Sequence, residues 1–316
     1  MTDPAPIVAV VGATATGKSD LALELARHLD GEVVNADAMQ LYRGMDIGTA
    51  KLPLAARRGV PHHQLDVLDV ADEASVAAYQ CASRADIDAI RARGRRPVLV
   101  GGSGLYVRAA LDRLQIPPTD PEVRRRLEAR AATSGADALH ARLRQLDPVA
   151  AEQIPASNVR RVVRALEVVE LTGRPFSASM PSRELVSATI LLGLRLDRPT
   201  LDLRIARRVD HMWEAGLRDE TQLLLQRGLR DGFTASRAIG YSQAIAVIDG
   251  ALTEDQARLD TAHATRRYAR RQESWFRADP RIVWLQADSA DLVDEALALV
   301  RQAGTTNQPD GIPENG

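Results

Sequence analysis

The chain has 316 residues, which is about two average domains or one large domain with an insertion. Hydrophobic residues make up 45% and charged residues 26%, so collagenous, coiled-coil and wholly disordered proteins are excluded. The net charge of −1 provides no overall basic field for nucleic acid, and the single cysteine excludes an internal disulfide and a cysteine-based metal cage.

The amino-terminal region lacks the pattern of a membrane or secretory segment. The uncharged run at residues 4–17 is shorter than the ~20 apolar residues of a membrane span. Asp3 and two prolines stand where a signal peptide would carry basic residues. We therefore expect no membrane association and a cytoplasmic location.

The first third of the chain alternates between strand and helix patterns. Short apolar runs predict strands, and apolar residues spaced three and four apart predict helices between them. The predicted strands are residues 7–11, 32–36 and 97–100, and the predicted helices are residues 20–29 and 74–93. This alternation predicts βαβ units and a mostly parallel sheet.

The pattern becomes helical near residue 120 and returns to strands later. Asp120 and Pro121 form a helix start, and charge-rich helical sequence continues to about residue 171. Strands are predicted at 186–196 and 281–285, with a long helix at 253–277. We predict an α/β core from residues 1–119 and 185–302, a helical insertion at 120–184 and a disordered tail at 303–316.

A glycine-rich loop follows the first predicted strand and opens the first helix. Its residues, Gly12-Ala13-Thr14-Ala15-Thr16-Gly17-Lys18-Ser19, match the P-loop pattern G-x-x-x-x-G-K-[ST]. Backbone N–H groups in such a loop bind phosphate oxygens, Lys18 pairs with the terminal phosphate, and the Ser19 hydroxyl ligates Mg²⁺. The motif predicts a P-loop NTPase-like fold and a diphosphate or triphosphate ligand, without specifying ATP.

The acidic residue that ends a strand in nucleotide-hydrolysing proteins is hard to find. The strand at 97–100 runs into two glycines. Asp37 does follow a strand, but within a segment that also contains Gln40 and Tyr42. A helix cap and a Mg²⁺ ligand are both open roles for Asp37 on this pattern.

Lysine is nearly absent from the basic residues. Of 41 basic residues only Lys18 and Lys51 are lysines, which indicates a general arginine bias. The two lysine positions are therefore of interest as candidate sites with a specific role, because a compact ammonium does not replace a planar guanidinium.

The order and content of these motifs resemble the tRNA dimethylallyltransferases, the isopentenyl transferases of tRNA. The resemblance covers roughly residues 7–285 and is strongest in the block 37–51. The other matching segments are residues 12–19, 61–66, 101–106, 120–124, 161–168, 204–208 and 238–241.

The resemblance implies a loop that binds the diphosphate of dimethylallyl diphosphate, with Mg²⁺ as the metal. The implied acceptor is N6 of the adenosine immediately 3′ of the anticodon, position 37, in tRNAs that read codons starting with U. Recognition of the anticodon stem-loop and a monomeric enzyme are further expectations.

The functional residues of the family can be assigned to this chain where its motifs match. The resemblance implies that Asp37 is the general base and that Ser103, where the family has threonine, and Arg208 assist catalysis; Ser103 keeps the hydroxyl. The implied tRNA-binding residues are Asp37, Ala38, Met39, Gln40, Ser103, Arg124, Arg160, Arg161, Val162, Val163, Arg164, Arg237, Ala238, Ile239, Gly240, Tyr241 and Ser242. Ala38 replaces a usual serine, and Ser242 replaces a commonly basic residue.

Two other enzyme classes and one binding class share parts of this pattern. A small-molecule or nucleoside kinase has the same loop and sheet, and a related isopentenyltransferase acts on free adenine nucleotides. A non-catalytic RNA-binding protein would bind tRNA without releasing diphosphate. Arginines in an insertion favour the tRNA enzyme, although charges on a helix are usually just its solvated face.

Overall fold

A computed structural model describes residues 5–179 and 183–305. The chain divides into two compact units, one formed by the residues up to Leu111 and from Leu185 onward, the other by Asp112–Glu184. Residues 303–305 end the last helix, and the rest of the tail predicted to be disordered lies outside the described residues. Within those ranges, no helix combines the length and the apolar character needed to cross a membrane.

The first unit is built on a six-stranded parallel sheet in the order β3-β2-β4-β1-β5-β6. The strands are β1 Ile7–Gly12, β2 Gly31–Asn35, β3 His62–His63, β4 Arg96–Gly101, β5 Thr189–Arg195 and β6 Ile282–Gln286. Every residue of β1 and β2 is buried, as the continuous apolar runs predict for a parallel sheet covered on both faces. The α/β fold expected from the sequence is confirmed.

Helices cover the sheet. In this unit they are α1 Lys18–His28, α2 Val76–Ala92, α3 Gly104–Leu111, α8 Arg198–Glu214, α9 Leu217–Gln226, α10 Tyr241–Ile248, α11 Glu254–Arg277 and α12 Leu292–Thr305. One core cluster joins β1 and β5 to α1 and α12 through residues such as Val10, Leu25, Leu192 and Leu297. The core therefore holds β1 rigidly at the centre of the sheet.

The second unit is helical. Its helices are α4 Pro121–Ser134, α5 Ala136–Leu146, α6 Pro148–Gln153 and α7 Val159–Thr172. Side chains of Asp120, Asp147 and Asn158 cap the amino termini of α4, α6 and α7, which explains why one long helical pattern breaks into separate helices. Leu143 of α5 and Val162 of α7 lie in the common core.

The carboxyl ends of three neighbouring strands meet at one edge of the sheet. Val10 of β1 lies opposite Val100 of β4, and Asn35 of β2 lies opposite the same residue. The loops that follow these strands therefore start side by side. This edge is where parallel α/β sheets bind ligands.

Candidate functional site

The loop between β1 and α1 has the geometry that its glycines predict. Gly12 has φ of 139°, and a Cβ atom there would stand 2.6 Å from the backbone oxygen of Leu194. Only glycine fits this position, because neither the backbone angle nor the space allows a side chain. The hydroxyl of Thr16 donates to the Ala13 carbonyl at 2.8 Å and tightens the turn.

Lys18 and Ser19 begin helix α1 directly after this loop. The ammonium of Lys18 donates to the Ala13 carbonyl at 2.5 Å. Removal from water and the nearby Arg208 lower the pKa of Lys18 to about 7, against the opposing pull of Asp37. The Ser19 side chain is exposed at the helix amino terminus, where an anion or a hydrated cation can reach it.

Asp37 follows β2, and its backbone is fixed by Asn35. The Asn35 amide oxygen accepts from the Asp37 N–H at 2.9 Å, while its nitrogen donates to the Asp37 carbonyl at 3.0 Å. The Asp37 carboxylate accepts from the Met39 N–H at 2.9 Å and caps a short 3₁₀ helix, Ala38–Leu41. The capping role left open by the sequence is therefore present, and it engages Oδ1.

Ser103 lies in the glycine-rich turn after β4 and meets the segment after Asp37. Its hydroxyl accepts from the Ala38 N–H at 3.2 Å, and its carbonyl accepts the N–H groups of Tyr106 and Val107 as α3 begins. The turn after β4 is thereby connected to the turn after β2.

Arg208 reaches the phosphate-loop motif from α8. One terminal nitrogen donates to the Thr14 hydroxyl at 3.1 Å, and the other donates to the Thr49 carbonyl at 3.3 Å. Gln40 donates to the same carbonyl at 3.1 Å. Burial lowers the pKa of Arg208 and Asp37 opposes the shift, but a guanidinium stays charged at any physiological pH.

A cavity of about 300 Å³ joins these residues within the first unit. Its polar lining includes Thr14, Asp37, Ser103, Arg208, Arg237 and Arg271, and Asp37 is the only carboxylic acid among the described residues that line it. The apolar part of the wall consists of Met39, Ile205, Val209, Met212, Ala238 and Ile239. The cavity therefore suits a ligand with an anionic end and an apolar end.

The segment from 237 to 242 contributes to the cavity unevenly. Arg237 lines it, and its guanidinium stacks on the exposed Phe233 ring at 3.7 Å from the centroid. Tyr241 is fully buried; its hydroxyl donates to Glu220 at 2.5 Å and accepts from the Gly48 N–H at 3.2 Å. Gly240 and Ser242 flank this tyrosine at the start of α10, and Ser242 donates to Gln243 at 3.0 Å.

In the second unit, two of the predicted tRNA-binding arginines are paired with a buried acid. Glu167 of α7 is completely buried and accepts from Arg164 at 2.7 Å and from Arg124 at 3.1 Å. Arg164 also donates to the carbonyls of Pro117 and Pro118. Burial would raise the pKa of Glu167, but the contacts with Arg164, the Asp120 N–H and Arg124 together lower it.

The neighbouring predicted residues of α7 differ in exposure. Arg160 and Arg161 are exposed near the helix amino terminus. Val162 and Val163 lie in the core of this unit at 1% and 2% exposure, so their side chains do not reach the surface. The structure therefore separates two free cationic side chains from two packing residues within one predicted segment.

Some residues near the site were not predicted from sequence. Lys51 is buried, and its ammonium donates to the Tyr42 carbonyl, Asp46 and Asp66 at 2.6–2.8 Å. These three contacts hold together separate parts of the segment that follows Asp37. Gln272 of α11 contacts the phosphate-loop motif. The rarity of lysine in the sequence drew attention to Lys51. Gln272 lies 258 positions from Thr14, and no pattern in its neighbouring residues indicates the contact.

The fold and the site define a P-loop-like α/β protein in which three arginines (Arg208, Arg237 and Arg271), a carboxylate and an apolar wall surround one cavity. Such a site can bind an activated phosphate ester, stabilise phosphate as it leaves, and accept a proton.

Comparison with known proteins agrees with this class. The family model described as IPP transferase matches residues 40–279, and that described as Isopentenyl transferase matches residues 5–57. The tRNA dimethylallyltransferase of Streptomyces avermitilis is 61% identical over 306 residues, covering 96% of this chain and 98% of its own length. That of Thermobifida fusca is 60% identical over 299 residues, with 93% and 94% covered.

Solved structures give the same result. The full-length tRNA isopentenylpyrophosphate transferase of Bacillus halodurans has a TM-score of 0.70 and 40% identity, covering 95% of this chain and 97% of its own. A eukaryotic dimethylallyltransferase acting on tRNA has a TM-score of 0.80 and 26% identity, with 98% and 81% covered. The chain therefore belongs to the tRNA dimethylallyltransferase family and is an enzyme.

Proposed function

We propose that this enzyme transfers a dimethylallyl group from dimethylallyl diphosphate to N6 of the adenosine at tRNA position 37, immediately 3′ of the anticodon. The tRNA substrates read codons starting with U, and diphosphate is released. The observation that carries the proposal is the cavity in which Arg208 and Thr14 face an apolar wall and the carboxylate of Asp37. These are the groups that an allylic diphosphate and an amine acceptor require.

The phosphate-loop side of the cavity stabilises the leaving group. As the allylic C–O bond breaks, its electron pair leaves with the diphosphate, whose negative charge grows. N–H groups of the loop, the ammonium of Lys18 and the guanidinium of Arg208 stabilise that charge more strongly in the transition state than before it. The apolar wall excludes water from the allylic carbon, so that the amine and not water forms the new bond.

Asp37 acts on the acceptor. The exocyclic adenine amine is a weak nucleophile because its lone pair is delocalised into the ring. As the C–N bond forms, the N6 proton moves to the carboxylate of Asp37, whose Oδ1 already accepts from Met39. The hydroxyl of Ser103, which fixes the Ala38 N–H next to Asp37, keeps this carboxylate oriented.

Mg²⁺ is the metal that we propose for the site. No three His, Cys, Asp or Glu side chains gather as a metal site within the described residues. Mg²⁺ keeps several waters and takes few protein ligands beside phosphate oxygens, so an exposed hydroxyl at the helix start fits it. Ser19 would hold the ion, and the ion would neutralise charge on the diphosphate.

The tRNA is held by cationic side chains on both units. In the first unit, Arg237 lines the cavity and is supported by Phe233. In the second unit, Arg160 and Arg161 are exposed and available for phosphate contacts. A monomeric enzyme in the cytoplasm completes the proposal, and size-exclusion chromatography tests the oligomeric state.

The direct test is product analysis. The protein is incubated with dimethylallyl diphosphate, Mg²⁺ and an unmodified tRNA that reads a U-starting codon, and the digested nucleosides are identified by mass spectrometry. We expect dimethylallyladenosine at position 37 together with one equivalent of diphosphate. Modification of free AMP but not of tRNA would instead identify the enzyme that acts on free adenine nucleotides.

A further inference from the structure

Gln272 of α11 connects two loops that come from different strands. Its side chain is 4% exposed, so its amide must find partners inside the protein. The oxygen Oε1 accepts from the Thr14 N–H at 2.9 Å, and the nitrogen Nε2 donates to the Gly102 carbonyl at 2.9 Å. One amide thus joins the loop after β1 to the loop after β4.

Each contacted residue stands next to a group of the proposed site. Thr14 accepts from Arg208 through its hydroxyl while its N–H is held by Gln272. Gly102 precedes Ser103, whose hydroxyl accepts from the Ala38 N–H beside Asp37. The side chain of Gln272 therefore lies between the phosphate-binding half of the site and the half that contains Asp37.

The fit around this amide is tight. A Cβ atom added at Gly102 would stand 2.2 Å from Nε2 of Gln272, so the glycine backbone lies directly against the amide. The two loops present one N–H donor and one carbonyl acceptor, and a neutral amide of this length satisfies both at once. Glutamate would satisfy only the N–H, and methionine would satisfy neither.

We propose that Gln272 is a positioning residue for group transfer: it sets the distance between the Thr14–Arg208 side of the site and the Ser103–Asp37 side. The inference rests on the proposed function and adds to it a residue that touches neither substrate. Misplacement of reacting groups by about 1 Å can cost on the order of 100-fold in rate. The effect is expected in the chemical step, because each loop keeps its own ligand contacts.

The main test compares Gln272→Met and Gln272→Glu in single-turnover and steady-state assays with dimethylallyl diphosphate and tRNA. Gln272→Met should lower kcat by about 10- to 100-fold while the donor KM stays within about threefold. Gln272→Glu should also raise the donor KM, because it places a negative charge against the loop that binds diphosphate. This split between kcat and KM is not expected from a residue that only packs.

Thr221→Val is the matched control. Thr221 is fully buried, and its hydroxyl donates only within α9, to the Leu217 carbonyl at 2.7 Å. The control should keep wild-type kcat and KM, whatever its effect on Tm. A Gln272→Met enzyme with wild-type kcat, or a Thr221→Val enzyme with the same kcat loss, overturns the positioning role.

A double-mutant cycle tests the route through Thr14. If Gln272 acts through Thr14 and Arg208, the kcat losses of Gln272→Met and Thr14→Val should combine to less than their product. Losses that multiply fully would overturn the route. All of these results require that the wild type prenylates tRNA, so a wild type that forms no dimethylallyladenosine refutes the proposed function and is distinguished from a failure of the inference.

Discussion

Asp37 combines a structural contact with a proposed chemical one, and one substitution separates them. Asp37→Asn keeps an oxygen that can accept from the Met39 N–H but cannot take the N6 proton. We predict a kcat loss of about 10²- to 10⁴-fold, the usual range for general-base catalysis. Affinities for tRNA and for dimethylallyl diphosphate should change by less than about threefold, as measured by equilibrium binding.

A Mg²⁺ series decides between the base and a metal ligand. If Asp37 is the base, excess Mg²⁺ leaves the rate of Asp37→Asn unchanged. Recovery of that rate at high Mg²⁺, together with weakened donor binding, would assign the carboxylate to the metal.

Lys18 should make donor binding depend on pH near neutrality. Its pKa of about 7 means that the ammonium is half deprotonated at pH 7 in the free enzyme, whereas the diphosphate favours the charged form. Binding therefore takes up a proton, and the donor Kd should rise by up to tenfold per pH unit above pH 7. Isothermal titration in buffers of different ionisation enthalpy measures the proton uptake.

Lys18→Arg supplies the control for that pH dependence, because a guanidinium stays charged up to pH 12. The variant should bind the donor with an affinity that is nearly flat between pH 7 and 9. A wild-type slope in this variant would assign the titration to another group. For folding the sign is opposite: between pH 7 and 10.5 the unfolded chain holds one more proton at this lysine, so its contribution to stability increases with pH.

Sequence alone predicts the residues of this site better than their connections. The loop 12–19 has a fixed local pattern, and Asp37 follows a predicted strand, so both can be read from neighbouring residues. The contact between Arg208 and Thr14 joins positions 194 apart, and that between Gln272 and Thr14 joins positions 258 apart. Such contacts depend on how α8 and α11 pack on the sheet, which no local pattern encodes.

Helix α7 carries arginines in two different environments. Arg160 is exposed, whereas Arg164 supports the buried Glu167. Arg164→Gln should lower the free energy of unfolding by about 2 kcal/mol, because a charged hydrogen bond to a buried carboxylate is lost while Arg124 remains. Urea unfolding measures this change, and Arg160→Gln should leave the unfolding curve unchanged.

Binding of tRNA, in contrast to stability, should depend on Arg160. Arg160→Gln is expected to weaken tRNA binding at low salt and to reduce the slope of log K against log salt by about one unit or less. An unchanged slope in Arg160→Gln would show that this exposed face of α7 does not contact tRNA. A destabilised Arg160→Gln would show instead that its side chain packs.

Sequence patterns missed β3, α3, α9, α10 and α12, and for the first two the reason is local. β3 has two residues, His62 and His63, which is too short for any periodicity. His63 contacts Glu32 at 2.6 Å, which gives this histidine a structural role. Helix α3 starts at Gly104, directly after the glycine-rich turn that follows β4. Glycines are not typical of a helix start, so the sequence does not predict this helix, whose first turn is stabilised by the Ser103 carbonyl.

For the molecule as a whole, the loop motif does not imply ATP turnover. The cavity contains one carboxylate among its described residues, and its apolar wall suits a prenyl group better than a second phosphate acceptor. We predict diphosphate release that requires dimethylallyl diphosphate and tRNA together and is unaffected by omitting ATP. Coupled diphosphate assays with each component left out measure this. Release that requires ATP would support the kinase class.

The two lysines give the chain an unusual amine chemistry. The Lys51 ammonium is 2% exposed and holds three oxygen partners, so acylating reagents cannot reach it in the folded enzyme. Lys18, with a pKa of about 7, is half in its nucleophilic form at pH 7, where an ordinary lysine is almost entirely protonated. A mild acylating reagent at neutral pH should therefore modify Lys18 before Lys51. Prior addition of dimethylallyl diphosphate should protect Lys18 from acylation. The acylated fraction of Lys18, measured by peptide mass spectrometry, would then report how much of the enzyme has bound the donor.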